Sequence, residues 1–590
     1  MSASAALPPM PISTKKIVLR SDALSNIPLS ERQHPEALID ALFLARGEAA
    51  HQAQDYQLKR LLPPDSLKGM PDAVSLLYEA LLKQQRIVIV GDFDADGATS
   101  TALLRRALMA FGHRDVKHVV PNRFEYGYGL TPEIVDLVAT LKAELIVTVD
   151  NGISSVEGVA HAQALGMKVL VTDHHLPGAT LPAADAIVNP NQPDCAFPSK
   201  NLAGVGVIFY VMLSLRKKLR ERDWFQQNEI IEPNLAQFLD LVALGTVADL
   251  VPLDFNNRVL VAQGIQRIRA GQCCAGILAL LKIAGRDYRK TSANDFGFAI
   301  GPRLNAAGRL DDMSVGIQCL MADNEFTALE FAQELDALNR ERRAIEQSMQ
   351  VEANRDLDVI LDNLDEVSGV CAYGEDWHQG VVGILASRIK EKVHRPTIAF
   401  AKVGDGELKG SGRSIAGVHI RDVLDEIAAH NPGVLLKFGG HAMAAGLSLH
   451  EDHFERFKIE FNRVVDAHLS AEARNPVVLS DGELDISQFT LAHAEAIRDA
   501  GPWGQQFPEP VFSGIFRLVE QRIVGQKHLK MMLCPDEFQS LLIDAIAFNI
   551  DTNEWPNNHA HTVRLAYKLD VNEFRGQRSL QLMVEYIEAD

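Results

Sequence analysis

Acidic residues recur at alternate positions in the segment GDFDADG, where Asp92, Asp94 and Asp96 are followed by Gly97. Carboxylates at this spacing, on a turn that follows a strand, are suited to binding a divalent cation. The segment matches the first six positions of an EF-hand calcium loop, but the twelfth position is Leu103, where that loop needs a bidentate Glu. A calcium loop is therefore excluded. A plain polar turn remains the alternative for this segment taken alone.

Further acidic residues follow apolar stretches elsewhere in the chain. Asp150 ends ELIVTVD, Asp173 ends KVLVTD and precedes His174 and His175, and Asp249 follows ALGTVA. The carboxyl ends of parallel strands meet at one edge of an open sheet, so we expect the turn at 92–96, Asp150 and Asp173 to converge on one crevice. Asp249 follows an apolar segment, where a buried charge needs a partner. Carboxylates this close repel each other, and bound cations offset the repulsion. Carboxylates with imidazoles suit Mn²⁺ or Mg²⁺, and the histidines favour Mn²⁺.

The elements that would position these residues alternate between strands and helices. The predicted strands are RIVIV (86–90), ELIVTVD (144–150), KVLVTD (168–173) and AIVNP (186–190). Helical patterns at 98–112 and 131–141 lie between them. The fold class is therefore predicted to be α/β, with a mostly parallel sheet covered by helices on both faces.

The remaining chain changes pattern several times. A long connecting helix is predicted where apolar residues recur at intervals of three and four among many charges, and a glycine-rich α/β segment follows it. After Asn475, consecutive strands with few helices predict a C-terminal β-barrel of the OB type. The predicted domains are an N-terminal extension (1–70), a catalytic α/β domain (71–324), the connecting helix (325–362), a second α/β domain (363–470) and the OB-like domain (471–590).

Composition narrows the possible classes of protein. The chain has 590 residues, 47% of them hydrophobic and 23% charged, which is typical of a globular protein with several domains. Its six cysteines form no CxxC pair, so neither a disulfide scaffold nor a zinc ribbon is expected. No transmembrane segment or signal peptide is apparent, and we expect a cytoplasmic protein with no membrane partner. The net charge of −19 argues only weakly against nucleic acid as a partner, because a local basic groove can lie on an acidic protein.

Several motifs together resemble a known family. GDFDADG, TVDNGIS, TDHH and GTVADLVPL resemble, in order and spacing, the four motifs of the DHH phosphoesterase superfamily. GVVGILASR and FGGHAMAAGL resemble its associated DHHA1 domain, so the resemblance covers about 85–465, and GPRLNAAGRLDD (301–312) and the C-terminal β segment extend it. The whole chain is similar to the single-strand-specific 5′→3′ DNA exonucleases of this superfamily.

The resemblance implies a function and a set of partners. The enzyme would degrade single-stranded DNA from the 5′ end and release 5′-mononucleotides during recombination and repair. It would cooperate with single-strand-binding protein and a RecQ-type helicase. No Gly-Lys dipeptide occurs in the chain, so there is no Walker A loop and no use of ATP is expected.

The resemblance also implies roles for particular residues at a site with two divalent cations, Mn²⁺ or Mg²⁺. The family's metal-binding positions are matched by Asp92, Asp94, Asp96, Asp150, His174 and Asp249. Asp150 is the candidate for bridging both ions, and it forms the catalytic set with Arg309 and with His175, which would face the scissile phosphate. The two ions would hold the attacking water and the leaving 3′-oxygen in an in-line displacement, so no protein nucleophile is needed.

Substrate contacts are expected in two regions. In GPRLNAAGRLDD, the side chains of Arg303, Asn305 and Arg309 would contact phosphate, since guanidinium groups bind phosphate bidentately. The alternative is a loop whose arginines pair with Asp311 or Asp312.

In the second α/β domain, His378 lies near a predicted helix N-terminus, where backbone amides can meet an anion. Gly439, Gly440 and His441 resemble the substrate loop of DHHA1 domains. GSGRS would supply Ser411, Arg413 and Ser414 as a pocket for the terminal 5′-phosphate; the alternative is a glycine-rich turn whose arginine pairs with a nearby acid.

Two other functions stay open at this stage. A DHH phosphodiesterase for short oligonucleotides or cyclic dinucleotides would resemble only the central domains, and residues 475–590 argue against it. A catalytically idle DNA-binding component of a replication complex is disfavoured by the intact set of acids and histidines. We also expect truncation after about residue 470 to keep the catalytic centre and to weaken binding to long strands.

Overall fold

A computed structural model of the chain describes residues 15–28, 30–48, 54–121, 128–361, 367–535, 541–550, 552, 555–574 and 576–589. Its strands are β1 (Lys16–Leu19), β2 (Ile87–Gly91), β3 (Val116–Val119), β4 (Leu145–Val149), β5 (Lys168–Thr172), β6 (Ala186–Val188), β7 (Val370–Gly374), β8 (Thr397–Gly404), β9 (Glu407–Arg413), β10 (Lys437–Gly440), β11 (Ala444–His450), β12 (Val477–Ser480), β13 (Phe512–Val524), β14 (His528–Cys534), β15 (Ile543–Ala547), β16 (Thr562–Phe574) and β17 (Gln577–Ala589).

The helices are α1 (Pro35–Leu44), α2 (Met70–Lys83), α3 (Ala95–Ala110), α4 (Pro132–Thr140), α5 (Val156–Ala164), α6 (Gly204–Glu221), α7 (Trp224–Gln227), α8 (Leu239–Ala248), α9 (Phe255–Arg269), α10 (Ala275–Ile283), α11 (Ala293–Asp295), α12 (Gly301–Leu310), α13 (Ser314–Met321), α14 (Glu325–Leu361), α15 (Val382–Val393), α16 (Ile420–His430), α17 (Phe454–His468) and α18 (Leu491–Ala500). A π-helical stretch, Phe296–Ile300, leads into α12. Within the described ranges, no helix combines the length and the apolar character needed to cross a bilayer.

The chain folds into two compact units. The first unit comprises Arg46–Asn339 together with Ile497–Glu509. The second unit comprises the described residues up to Ala45, Arg340–Ala496 and the described residues from Pro510 onward. Nothing in the sequence pattern indicated that a short segment near residue 500 would join the first unit.

The first unit is built on a five-stranded parallel sheet with the order β3-β2-β4-β5-β6, so the predicted parallel sheet is confirmed. Strands β2 and β4 are buried along their whole length, as expected for strands covered by helices on both faces. Gly91 pairs with Val149, which pairs with Thr172, so β2, β4 and β5 end in register. The residue that follows each of these strands is an aspartate, and the register delivers all three aspartates to one edge.

Helix α8 is apolar on all sides and lies buried in the first unit. Gly245 allows it to approach α3 closely, because a Cβ there would lie 2.7 Å from Oδ1 of Asp96. The C-terminal end of α8 therefore comes close to the turn that starts α3, and the next residue along the chain is Asp249.

The second unit contains a mixed sheet and a barrel. The mixed sheet has the order β10-β11-β9-β8-β7, and β13-β14-β15-β17-β16 form a closed barrel, which confirms the predicted OB-like domain. Strand β1 pairs in parallel with β12, a contact that joins the N-terminal region to the segment just before the barrel. No strand was predicted from the sequence in the N-terminal region.

Candidate metal centre and substrate-binding surfaces

The turn from β2 to α3 carries the alternating aspartates. Asp94 caps α3, and its carboxylate accepts hydrogen bonds from the amides of Asp96 at 2.9 Å and Gly97 at 3.0 Å. Asp92 accepts one from the amide of Phe93 at 2.8 Å. A Cβ on Gly97 would overlap the backbone of Asp92, so only glycine allows the turn to close this tightly.

Asp96 is held by a second helix. Its carboxylate is buried and accepts hydrogen bonds from the amides of Gly204 at 2.6 Å and Val205 at 3.0 Å, in the first turn of α6. These amides have no partner within the helix, and the helix dipole favours a negative charge there. Burial, and then the charge of Asp94, nevertheless raise the pKa of Asp96 to about 7.

Asp150, the residue after β4, is as deeply buried as Asp96 and Asp173. It is 1% exposed, and its backbone has a positive φ of 62°, a conformation that aspartate tolerates better than most residues. Among the described residues, its carboxylate oxygens accept no hydrogen bond. Burial raises the pKa of Asp150 well above its ordinary value, and the charges of Asp96 and Asp94 raise it further.

Asp173 orients the two histidines that follow it. Its Oδ1 accepts hydrogen bonds from the amides of His174 and His175 at 2.7 and 3.0 Å and lies 2.8 Å from Nδ1 of His175, while Oδ2 accepts one from the amide of Ile153 at 2.9 Å. Burial lowers the pKa of His175, but the hydrogen bond and charge of Asp173 outweigh it, and the pKa rises to about 9. The predicted site did not include Asp173, although it comes just after β5 as Asp150 comes just after β4.

The structure brings the six predicted metal-binding side chains together. Nε2 of His174 lies 3.1 Å from Oδ1 of Asp150, 3.4 Å from Oδ2 of Asp249 and 4.0 Å from Oδ2 of Asp96. Three groups of side chains offer ligand atoms within 4.8 Å of one another: Asp150, His174 and His175; Asp96, His174 and Asp249; and Asp92, Asp94 and Asp150.

These donors fit divalent cations of the Mn²⁺ or Mg²⁺ class, which bind carboxylate oxygen and, for Mn²⁺, imidazole. The buried carboxylate of Asp150 lacks hydrogen bonds from the described residues, and a cation would offset both its burial and the repulsion around it. Asp150 belongs to two of the three groups, and a bridging position between two ions is compatible with that arrangement.

Helix α12 supports the metal-binding turn. The side-chain oxygen of Asn305 accepts a hydrogen bond from the amide of Ala95 at 2.7 Å, and a Cβ on Gly308 would overlap the carbonyl oxygen of Phe93. Asn305, predicted to contact substrate, thus binds the turn itself. Arg309 lies one helical turn after Asn305, on the same face of α12.

The predictions for Arg303 need correction. Its guanidinium forms an ion pair with Asp336 at 2.9 Å and donates to the carbonyl oxygen of Ala299 at 2.7 Å. The sequence predicted a phosphate contact for Arg303, and the alternative was a loop whose arginines pair with Asp311 or Asp312. The segment is a helix, and Arg303 in its first turn contacts α14 instead.

Tyr128 is a further residue of this site. Its hydroxyl donates to the backbone carbonyl of Asp150 at 3.3 Å and lies 3.3 Å from Nδ1 of His175. Its ring meets the rings of Phe93 and His175 edge-on, with centroids 6.1 and 5.8 Å apart. The feature of the sequence that could have identified Tyr128 is its position after β3, because the chain leaves β3 at the edge of the sheet where the acids lie.

The second unit collects several of the predicted substrate-binding residues. Arg413 donates from Nη1 to the hydroxyl of Ser411 at 3.1 Å and to the carbonyl of Gly412 at 2.8 Å. A Cβ on Gly383, in the first turn of α15, would lie 2.9 Å from both Ser411 Oγ and Arg413 Nη2. Ser411 and Arg413 therefore lie beside the N-terminus of α15.

His378 precedes that helix, and its Nδ1 accepts a hydrogen bond from the amide of Gly380 at 3.1 Å. Ser414 differs from the prediction. It is buried, and its hydroxyl donates to the carbonyl of Val418 at 2.6 Å, so it stabilises a turn inside the domain.

Glycines in the strand pair β10–β11 leave part of the backbone uncovered by side chains. Gly439 pairs with Gly446, and a Cβ at either position would meet nothing within 4 Å. Gly440 has a positive φ of 138°, which requires glycine, and the amide of His441 donates to Ala444 at 2.8 Å. A phosphate backbone can approach such a surface closely.

Comparisons with known proteins assign three segments of the chain to known domain families. Residues 86–246 match the DHH family N-terminal domain, residues 366–467 the DHHA1 domain, and residues 480–586 the RecJ OB domain. The chain is 57% identical over 551 residues to the single-stranded-DNA-specific exonuclease RecJ of Escherichia coli (strain K12), covering 93% of this chain and 95% of that protein.

Two solved structures of RecJ from Thermus thermophilus are similar as well. The complex with Mn²⁺ has a TM-score of 0.76 at 28% identity and covers 96% of this chain and 78% of that one. The complex with Mg²⁺ has a TM-score of 0.71 at 26% identity, over 96% of this chain and 77% of that one.

We expect Asp150→Asn to abolish cleavage and to stabilise the metal-free protein. Removing one of five repelling carboxylates should raise the free energy of unfolding by about 1 kcal/mol at pH 8, or Tm by about 2–4 °C. The pKa of Asp150 is higher in the folded protein than in the unfolded chain. The free energy of unfolding of the wild type therefore falls as the pH rises through the folded-state pKa. The Tm difference between variant and wild type should therefore be larger at pH 8 than at pH 5 when both are measured by thermal unfolding. An equal difference at the two pH values would contradict the repulsion argument.

We expect Gly308→Ala to displace the turn between Asp92 and Asp94, because the new methyl group would press on the carbonyl of Phe93. Overpacking of this kind costs about 1–3 kcal/mol of stability and here should also raise the Mn²⁺ concentration for half-maximal activity. Gly297→Ala is the matched control, since its methyl group would meet only Val247 at 4.0 Å. Titration of nuclease activity with Mn²⁺ checks this, and similar curves for both variants would refute it.

Proposed function

Because the chain belongs to the RecJ family of single-stranded-DNA-specific exonucleases, we propose that its metal centre hydrolyses single-stranded DNA from the 5′ end and releases 5′-mononucleotides. The chain is a metal-dependent exodeoxyribonuclease of the DHH superfamily. The observation that carries the proposal is the enclosed carboxylate of Asp150, surrounded by four other aspartates and His174 at the carboxyl edge of the sheet.

Some residues of the first unit would bind the metal ions, and others would orient the substrate. Asp92, Asp94, Asp96, Asp150, His174 and Asp249 would hold two divalent cations, Mn²⁺ or Mg²⁺. When bound, such ions act as Lewis acids toward phosphate oxygens and lower the pKa of water. The backbone amides that bind Asp94 and Asp96 fix those carboxylates before any ion arrives.

His175 would contact the scissile phosphate. Asp173 fixes its Nδ1 and favours the charged ring, which has a pKa of about 9 and is partly exposed. A charged imidazole can donate a hydrogen bond to a phosphate oxygen, and Tyr128 packs edge-on against the ring and limits its rotation. Arg309, on the face of α12 that carries Asn305, would add a second positive charge near the turn.

We propose that the DHHA1 domain selects the 5′ terminus. A terminal phosphate carries more charge and more free oxygens than an internal one, so a pocket of donors can distinguish the two. Ser411 and Arg413, beside the first-turn amides of α15 and His378, offer hydroxyl, guanidinium and amide donors. Gly439, Gly440 and His441 would let the DNA backbone approach.

Residues 480–586 distinguish this proposal from a phosphodiesterase of short oligonucleotides or cyclic dinucleotides. Their match to the RecJ OB domain and their closed barrel favour a long single strand as substrate. The acids and histidines of the metal centre disfavour a catalytically idle DNA-binding component. Action in the cytoplasm on recombining and damaged DNA, together with single-strand-binding protein and a RecQ-type helicase, is the setting we propose.

One assay tests the proposed activity. The full chain with Mn²⁺ should release mononucleotides from long 5′-labelled single strands, and it should leave duplex DNA and dinucleotides largely intact. Addition of EDTA should stop the release, and Asp150→Asn is the matched inactive control. Preferential cleavage of dinucleotides would favour the oligonucleotide phosphodiesterase instead.

We expect Arg413→Ala to impair cleavage of 5′-phosphorylated strands much more than that of 5′-hydroxyl strands. Losing one charge-assisted contact costs about 1.5–3 kcal/mol, or about 10- to 150-fold in kcat/KM. Arg463→Ala is the matched control, because this arginine pairs with Glu460 on the surface of α17 in the same domain. Equal losses on the two substrates would show that Arg413 positions the strand in general and does not read its end.

A further inference from the structure

A tight turn near residue 505 belongs to the first unit, although the chain places it between α18 and the barrel. The rings of Trp503 and Phe507 stack with centroids 5.1 Å apart and planes 11° apart. Gly504 and Phe507 exchange two backbone hydrogen bonds, at 2.9 and 3.1 Å, which close the turn. We refer to residues 503–507 as the Trp503–Phe507 turn.

Two arginines of the first unit hold this turn. The guanidinium of Arg258 lies 4.0 Å from the ring centroid of Phe507, and that of Arg46 lies 5.3 Å from the centroid of Trp503. Arg258 is 1% exposed and pairs with Glu48 at 2.6 Å. A buried guanidinium needs fixed partners, so it restricts the position of the Phe507 ring.

The same arginine and the same turn both bind Leu253. Nη1 of Arg258 donates to the carbonyl of Leu253 at 3.0 Å, and the amide of Leu253 donates to the carbonyl of Gln505 at 2.8 Å. A Cβ on Gly504 would lie 2.7 Å from Cδ1 of Leu253, so the turn also packs directly on this side chain. Both backbone polar groups of Leu253 are thereby fixed.

Leu253 ends the short connection that begins at Asp249. Helix α8 ends at Ala248 and α9 begins at Phe255, so only a few residues separate the metal-binding acid from the anchored leucine. Leu250 has a positive φ of 59° and is 67% exposed, so it contributes little packing of its own. The connection is held by the end of α8, by the buried Val251 and by the carbonyl of Pro252, which accepts a hydrogen bond from Asn257 at 2.9 Å. The anchor at Leu253 adds to these supports and fixes the far end of the connection.

We propose that the Trp503–Phe507 turn, acting through Leu253, orients the carboxylate of Asp249 for metal binding in the full-length protein. The residues of the turn are positioning residues, since they act through Leu253 and touch neither metal nor DNA. The inference rests on the proposed function in one respect, which is that Asp249 is a metal ligand.

Mn²⁺ binding by the full-length protein tests the inference without any assay of activity. Free Mn²⁺ is measured by electron paramagnetic resonance for the wild type, Phe507→Leu and Gly504→Ala. Loss of a residue that orients a ligand lowers metal affinity about 10- to 100-fold, and we expect the lower end for Phe507→Leu. Gly504→Ala, a smaller change that presses on Leu253, should weaken binding in the same direction and remains informative if Phe507→Leu does not fold.

Phe489→Leu is the matched control, because it removes another buried ring that packs on Phe516 and Tyr567 in the second unit. It should lower Tm and leave Mn²⁺ affinity within about twofold of the wild type. Nuclease activity of Phe507→Leu should recover toward the wild-type kcat at saturating Mn²⁺, which a general loss of structure would not permit. Unchanged Mn²⁺ affinity in both turn variants, or an equal loss in Phe489→Leu, overturns the inference. A wild-type chain that binds no Mn²⁺ overturns the proposed function itself.

Discussion

Electrostatic repulsion among five aspartates is the constraint around which the first unit is organised. Strands β2 and β4 end in register, so Asp150 meets Asp92, Asp94 and Asp96 at one edge, and Asp249 at the end of α8 joins them. The pKa values of Asp96, Asp150 and Asp249 rise because the carboxylates are buried next to one another. Backbone amides hold Asp94 and Asp96 in place within this cluster, whereas the described residues donate no hydrogen bond to the carboxylate of Asp150.

The support comes from backbone rather than from opposite charges. Helix amides bind Asp94 and Asp96, and close contacts at Gly97, Gly204 and Gly308 bring the backbone near the acids. Arginines or lysines in these positions would cancel the negative potential that attracts the cations. The protein thus keeps the charge of the site while fixing its geometry, which is the arrangement a metal-dependent hydrolase requires.

Local patterns predicted the parts of the structure that depend on neighbouring residues. Alternation of strands and helices identified the parallel sheet, and the position of Asp92, Asp150 and Asp173 at strand ends followed from it. Contacts between distant segments left no such signal. The partner of Arg303 is Asp336 on another helix, and the turn at Trp503 joins the first unit from the far end of the chain, so neither has a periodic pattern that a sequence can reveal. The role of Ser414 differs from the prediction because its hydrogen-bond partner is set by how the elements pack, and the bond from Ala95 to Asn305 depends on the same packing.

The pairing of β1 with β12 has a consequence for the synthesis of the protein on the ribosome. Lys16 pairs with Val477, so nearly the whole chain must be translated before the first strand meets its partner. At about 5–20 residues per second, this leaves β1 unpaired for about 20–90 s. During that time its edge is a template for pairing with other nascent chains. Strand β1 is therefore synthesised long before its partner β12, and its edge stays open until that partner emerges.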